Sequence, residues 1–242
     1  MRWVICFLVG LATTVFARPA TVITSDGFRY EGETFIDPTG MVNIIPIGRN
    51  MARIKLTTVR QLTFNTTNTT GTATSTNAPR QQVLLRRGAV LAGAITAADD
   101  TAVKLATGPR TLSVPTASVS ALLFQPLTPE LIAKFPPGRK GALLTSGDFY
   151  DGDFRSVENQ RVQISSVLFG PRTFDAGSQV VAVVLRPLAA VPATYELRLL
   201  NGSIFFTDVI RAEPDRLFIE DVSLGAIQFP LNDLHQLIRK RR

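Results

Sequence analysis

The sequence predicts an all-β chain of four tandem small five-stranded barrel modules, with one short helix in a linker. Three observations predict it. A turn glycine is followed five residues later by a second small residue at Gly27/Gly32, Gly88/Gly93, Gly147/Gly152 and Gly202/Thr207. Fifteen and seventeen residues after each first glycine stands an apolar pair: Val42/Ile44, Val103/Leu105, Val162/Ile164 and Leu217/Ile219. That period-2 spacing puts both side chains on one face of a strand. Each copy then has another turn glycine (Gly48, Gly108, Gly170, Gly225) and a closing apolar pattern. The pattern is Val59/Leu62/Phe64, Val119/Leu122/Phe124, Val180/Val183/Leu185 and Leu234/Leu237.

Along the chain, residues 1–17 read first as a secretory signal peptide. Arg2 supplies the positive start, Trp3 to Phe16 the apolar core and Val15-Phe16-Ala17 the cleavage site. The run is short of the roughly 20 residues a bilayer span needs, so cleavage after Ala17 is expected, with no transmembrane span after it; the alternative is an uncleaved anchor. The single cysteine, Cys6, lies inside it. The mature chain therefore has no disulfide, thiol nucleophile or cysteine metal site.

The first module is residues 18–64, with its turn at Asp26-Gly27. Residues 65–80 are Thr-rich without a large apolar side chain and read as a disordered linker. The second module is residues 81–124, around Arg87-Gly88. In the linker 125–140, Thr128-Pro129-Glu130 supply an N-cap, an N1 proline and a first-turn acid for a helix to about Phe135. Pro136-Pro137-Gly138 stop it. The third module is residues 141–185, around Ser146-Gly147, and a short linker 186–193 leads to the fourth, residues 194–242, which carries a basic tail.

The fourth module shows the strands most plainly. Tyr195, Leu197 and Leu199 alternate with Glu196 and Arg198, and Asn201-Gly202 is a hairpin turn. Ile204 to Ile210 forms the second strand, Leu217 to Glu220 the third and Ala226 to Phe229 the fourth. Pro230 stops the fourth by removing a ladder donor, and Leu234 to Ile238 closes the unit. Such a meander cannot stay open with its apolar face wet, so closure into a barrel is expected. The short 186–193 link makes modules three and four the expected packed pair, while the Thr-rich linker sets module one apart.

A strand, a glycine turn, a small residue in strand two and a short turn before the last strand resemble the SH3-like and Sm-like small barrels. Residues Thr128 to Asp175 are also similar to uncharacterised secreted proteins of planctomycete-type bacteria. The resemblance implies export and repetition and carries no known activity. No motif matches the RNA-contacting residues of Sm proteins, so none is carried over.

The residue inventory bounds the chemistry. His235 is the only histidine, so neither a triad nor a histidine metal site has its partners. Asp148, Asp151 and Asp153 cluster around a glycine, but their spacing does not match an EF-hand and a turn explains them. Asp99-Asp100 and Glu220-Asp221 read as turn residues. No phosphate loop is present. No cofactor, metal or catalytic residue is expected.

The function expected is a non-catalytic, exported scaffold, periplasmic, cell-surface or extracellular, that binds a protein partner or a cell-envelope polymer. Aromatic residues after each first turn, Tyr30, Tyr150 and Phe205, with nearby Arg29, Arg155 and Arg211, are the candidate contacts. An alternative is polyanion binding. The formal charge is +7, and one unit leaves with the signal peptide. Arg239, Lys240, Arg241 and Arg242 form a terminal run expected to project into solvent and meet an anionic polymer. Nucleic acid is not the expected partner. The second alternative is a hydrolase acting at an inter-module cleft.

Overall fold

The computed structural model describes residues 17–65, 81–108, 110–126, 128–213 and 215–240. The expected signal peptide up to Phe16, most of the Thr-rich linker and Arg241-Arg242 lie outside the described residues.

Residues 18–64 form β1 (Arg18–Thr24), β2 (Arg29–Ile36), β3 (Met41–Pro46), β4 (Ala52–Lys55), a 3-10 turn (Leu56–Thr58) and β5 (Val59–Phe64). Residues 81–124 form β6 (Gln82–Leu85), β7 (Val90–Ala92), β8 (Ala94–Ala98), β9 (Ala102–Thr107), β10 (Arg110–Pro115), a 3-10 turn (Thr116–Ser118) and β11 (Val119–Leu123). The helix α1 (Pro129–Ala133) follows. Residues 141–185 form β12 (Gly141–Leu144), β13 (Phe149–Asp151), β14 (Asp153–Glu158), β15 (Arg161–Ser166), β16 (Gly170–Asp175) and β17 (Val180–Val184). The remainder forms β18 (Tyr195–Leu199), β19 (Ile204–Thr207), β20 (Ile210–Ala212), β21 (Arg216–Asp221), β22 (Gly225–Pro230), a 3-10 turn (Leu231–Asp233) and β23 (Leu234–Arg239).

The strands assemble into three sheets. A 14-stranded sheet runs β13-β12-β17-β11-β6-β7-β19-β18-β23-β5-β1-β2-β3-β4. A six-stranded sheet runs β10-β9-β8-β14-β15-β16, and a three-stranded sheet runs β20-β21-β22. The chain is therefore all-β and antiparallel, but among the described residues no sheet closes into a barrel. In each segment the last strand pairs with the first: β5 with β1, β11 with β6, β17 with β12 and β23 with β18. The last strand's other edge is then taken by the last strand of a different segment. Leu62 faces Leu237 where β5 meets β23, and Leu122 faces Val183 where β11 meets β17.

Closure is thus replaced by pairing between segments, and the pairs differ from those expected. Residues 18–64 join the last segment and are not set apart; residues 81–124 join 141–185. Arg18 reinforces the first junction by donating to the carbonyls of Leu231, Asn232 and Leu234 at 3.1–3.3 Å. The guanidinium also lies 4.5 Å from the centroid of Phe64. At the second junction β8 pairs with β14, and Gln81 bonds Gln160 at 2.8 Å.

The apolar pairs named from sequence are the floor of one core. Val42, Ile44, Val103, Leu105, Val162, Ile164, Leu217 and Ile219 are all buried, with the closing residues Leu62, Leu122, Val183 and Leu237. A second, smaller cluster lies on the other face of the large sheet, where Leu131 and Phe135 pack with Leu84, Leu123, Leu143 and Val181. Thr128 caps α1 by accepting the Leu131 N–H at 3.2 Å. The helix ends at Ala133, two residues before the expected Phe135.

The second small residue of the second and third repeats sits where the chain passes from one sheet to another, and Gly32 of the first lies within β2. At Gly93 the chain leaves the 14-stranded sheet and enters the six-stranded one, and Gly152 does the same between β13 and β14. A Cβ would stand 2.2 Å from the Ile45 carbonyl oxygen at Gly32, 2.5 Å from that of Ala106 at Gly93 and 2.7 Å from that of Ser165 at Gly152. No side chain fits such a gap. Gly48, by contrast, needs glycine only for its φ of +72°, with open space around it. Gly93→Val should therefore cost at least about 3 kcal/mol, against about 1–2 kcal/mol for Gly48→Ala. Urea unfolding of both variants checks this; equal losses would refute the close-contact explanation.

Candidate functional site

The expected contact residues do not form one surface. Arg29 is on the 14-stranded sheet, Arg155 on the six-stranded sheet and Arg211 on the three-stranded sheet. Arg29 is paired with Glu31. Phe205 is buried and stacks on Phe229 at 6.1 Å, so it offers no open face. Tyr30 and Tyr150 are half-buried against the same core, and Leu91 occupies the corresponding position in the second segment. All four stand three residues after the first turn glycine, and that position points inward. The adjacent Phe149 and Phe206 take other directions, Phe149 packing on the cluster under α1 and Phe206 lining a groove, while Phe28, two residues before Tyr30, is 62% exposed.

The tail is not free through its described part. Arg239 ends β23 and donates to the Thr57 carbonyl, and the Lys240 N–H donates to Thr194 O at 2.8 Å. Lys240 Nζ also lies 2.5 Å from Glu196, whose other oxygen meets Arg198 at 2.7 Å. The Glu196 side chain is 4% exposed. Burial pushes its carboxyl up, but the hydrogen bonds from Lys240 and Arg198, with their charges, outweigh it and hold it below the ordinary range.

The groove encloses about 440 Å³ between the last segment, the linker and Arg87. The linker is held by Ala189 N–H on the Arg86 carbonyl at 2.7 Å and by Arg186 on Thr116 O at 2.9 Å. Val191, Pro192 and Ala193 of the linker and Phe206, Val209, Val222 and Ala226 of the last segment supply its apolar lining. Phe206 stands directly opposite Glu196 in the β18–β19 register, so the ion cluster lies on the same sheet face as this lining residue.

Two of the groove's three carboxylates are structural. Asp208 accepts the backbone N–H and hydroxyl of Thr194 at 2.9 and 2.5 Å, which fixes the linker's end. Asp221 is buried and accepts the N–H groups of Ser223 and Leu224 at 2.8 and 3.0 Å, which shapes the β21–β22 turn. Thr207 ties the bend together, its hydroxyl accepting from Val209 N–H at 3.1 Å and lying 2.9 Å from Glu220 O. The side chains of Arg87 and Glu220 make no hydrogen bond or ion pair with described residues. They leave one positive and one negative group at an apolar groove. Arg87 and Glu220 carried no sequence signal beyond their place at turns. Phe206 was visible as one of an adjacent aromatic pair, without a rule for which member faces out.

Other candidate chemistry is dispersed. Asp151 is paired with Arg139 and Asp148 accepts from Ser146 Oγ at 2.8 Å; among the described residues no group of three metal-type ligands converges. Nδ1 of His235 is buried without a hydrogen-bond partner among the described residues. Asp37 and Asp99 are held below the ordinary carboxylate range; at Asp37 burial opposes the shift, but bonds from Thr39, Asn43 and Met41 prevail, while Thr101 and Ala102 act at Asp99. Both close turns away from the groove. No helix among the described residues is long and apolar enough to cross a membrane. The chain matches no protein-family model, and no curated protein matches it.

Glu196 has a pH signature. A carboxyl depressed on folding stabilises above its unfolded pKa, and that stability is lost as pH falls through the folded value. Glu196→Gln should cost about 1–2 kcal/mol at pH 7, its partners remaining half-exposed to water. It should also flatten the loss of stability below about pH 4.3. Thermal midpoints from pH 7 to pH 3 test this, and unchanged acid dependence would count against it.

Proposed function

We propose that this chain is a non-catalytic, exported binding protein, built from four divergent copies of an SH3-like or Sm-like small barrel opened to pair with one another. It engages an extended segment of a partner protein, or an envelope polymer, in the groove between the last copy and the 186–193 linker. The observation that carries this reading is the groove's composition. Apolar side chains around Phe206 line it together with two charges without described partners, Arg87 and Glu220, while Asp208 and Asp221 are committed to holding the linker's end and the β21–β22 turn. Groove-like sites with few polar groups on apolar walls suit recognition. A hydrolase reading draws no support from this groove, because one uncommitted carboxylate supplies no acid–base pair. The polyanion reading is weakened by the engagement of Arg239 and Lys240 in structural contacts.

Photo-crosslinking from position 209 in intact cells tests the proposal. A discrete adduct is expected, reduced about tenfold or more by Phe206→Asp or Arg87→Glu. The same probe at exposed Thr111, on β10 of the six-stranded sheet, should give no such adduct. Identical adducts from both positions, or no effect of the groove substitutions, would refute it.

A further inference from the structure

The turn between β15 and β16 carries three consecutive large apolar residues into solvent. Val167 is 98% exposed, Leu168 82% and Phe169 64%. This is a convex tip, unlike the concave groove. Its base is ordered: Ser166 Oγ accepts the Leu168 N–H at 3.3 Å, and Tyr150 donates its hydroxyl to the Gly170 carbonyl at 3.2 Å. The Tyr150 ring lies 5.9 Å from Phe169 and 5.2 Å from Phe174. Behind them Arg172 is exposed, its guanidinium 5.9 Å from the Tyr150 ring centroid and without an acidic partner among the described residues. No acid occurs on the hairpin from Arg161 until Asp175, which pairs with Arg161; across the register Asp153 stands opposite Ser165.

We propose that this hairpin tip inserts into the interfacial layer of an anionic lipid membrane. The order of groups along the hairpin matches the order of layers a leaflet presents. Aliphatic Val167 and Leu168 come first, then the Phe169 and Tyr150 rings, then the Arg172 cation at the depth of the phosphates. A protein pocket would require a complementary cavity, whereas a lipid surface yields to a convex apolar point. Charge supports the same choice, since anionic headgroups attract a cation close to the surface.

A single tryptophan at the tip tests this in the full chain: Leu168→Trp in a Trp3→Phe background. Vesicles of phosphatidylcholine with one quarter phosphatidylglycerol should move its emission to shorter wavelength and allow quenching by brominated acyl chains. Pure phosphatidylcholine should do so less. Replacing Arg172 by Gln should weaken the anionic preference by about fivefold. Replacing Val167 and Phe169 by Ser in the reporter protein should weaken partitioning about tenfold, with the thermal midpoint unchanged. A tip tryptophan that stays water-exposed while the protein sediments with vesicles would overturn the proposal. So would an emission shift that follows protein concentration without lipid, which would assign the tip to a second copy of the chain.

Discussion

Everything in this fold depends on how the second edge of each segment's last strand is satisfied. A small meander that pairs its last strand with its first still exposes a full row of backbone N–H and C=O groups on that last strand. Closing a barrel would satisfy the row internally. Here β5 and β23 satisfy each other, as do β11 and β17, so two pairs of segments become mutually dependent. The small β7–β19 contact at Val90 and Ile204 then links one pair to the other, assisted by the buried Ser203 hydroxyl, which accepts the Ala92 N–H at 3.0 Å. The result is one long sheet with a common core, which suits segments too small to bury much alone.

In the second and third segments the second strand also serves two sheets. A strand cannot turn from one layer to another without bringing its backbone against the neighbouring strand. Gly93 and Gly152 make the turn possible because a missing Cβ leaves room for the carbonyls of Ala106 and Ser165. The bent strand then contributes to both layers: Leu91 and Ile95, on either side of Gly93, are both buried in the common core.

Much of this was legible in the sequence, for a physical reason. Positive-φ turns restrict side chains and buried strand faces demand apolar ones, so Gly27, Gly88, Gly147 and Gly202, with φ of 91–104°, and the pairs Val42/Ile44 to Leu217/Ile219 had few substitutes. The start of α1 was legible because Thr128 and Pro129 act locally. What was not legible depends on contacts distant in sequence. Whether an edge is closed by its own module or by another cannot be read from Val59 or Leu234, which look the same in either case. The same holds for Phe205 and Phe206: alternation says that they face opposite ways, and only the β18–β19 register, with Leu197 opposite Phe205 and Glu196 opposite Phe206, says which is which.

The outer edges of the three sheets are protected as well. β13 and β20 are three residues long, β4 carries Arg53 and Lys55, and β10, β16 and β22 contain Pro115, Pro171 and Pro230. Each device discourages an added strand. The last segment differs from the second and third at its bend. Where Gly93 and Gly152 make the bend with one residue, Thr207 keeps its Cβ and the strand breaks over Asp208 and Val209 before β20 begins. The Thr207 hydroxyl replaces ladder bonds lost at that break by bonding Val209 and Glu220. The opening left behind is the groove, lined by Phe206, Thr207, Asp208 and Val209. The departure from the repeated small-residue pattern therefore coincides with a break that opens a groove of about 440 Å³.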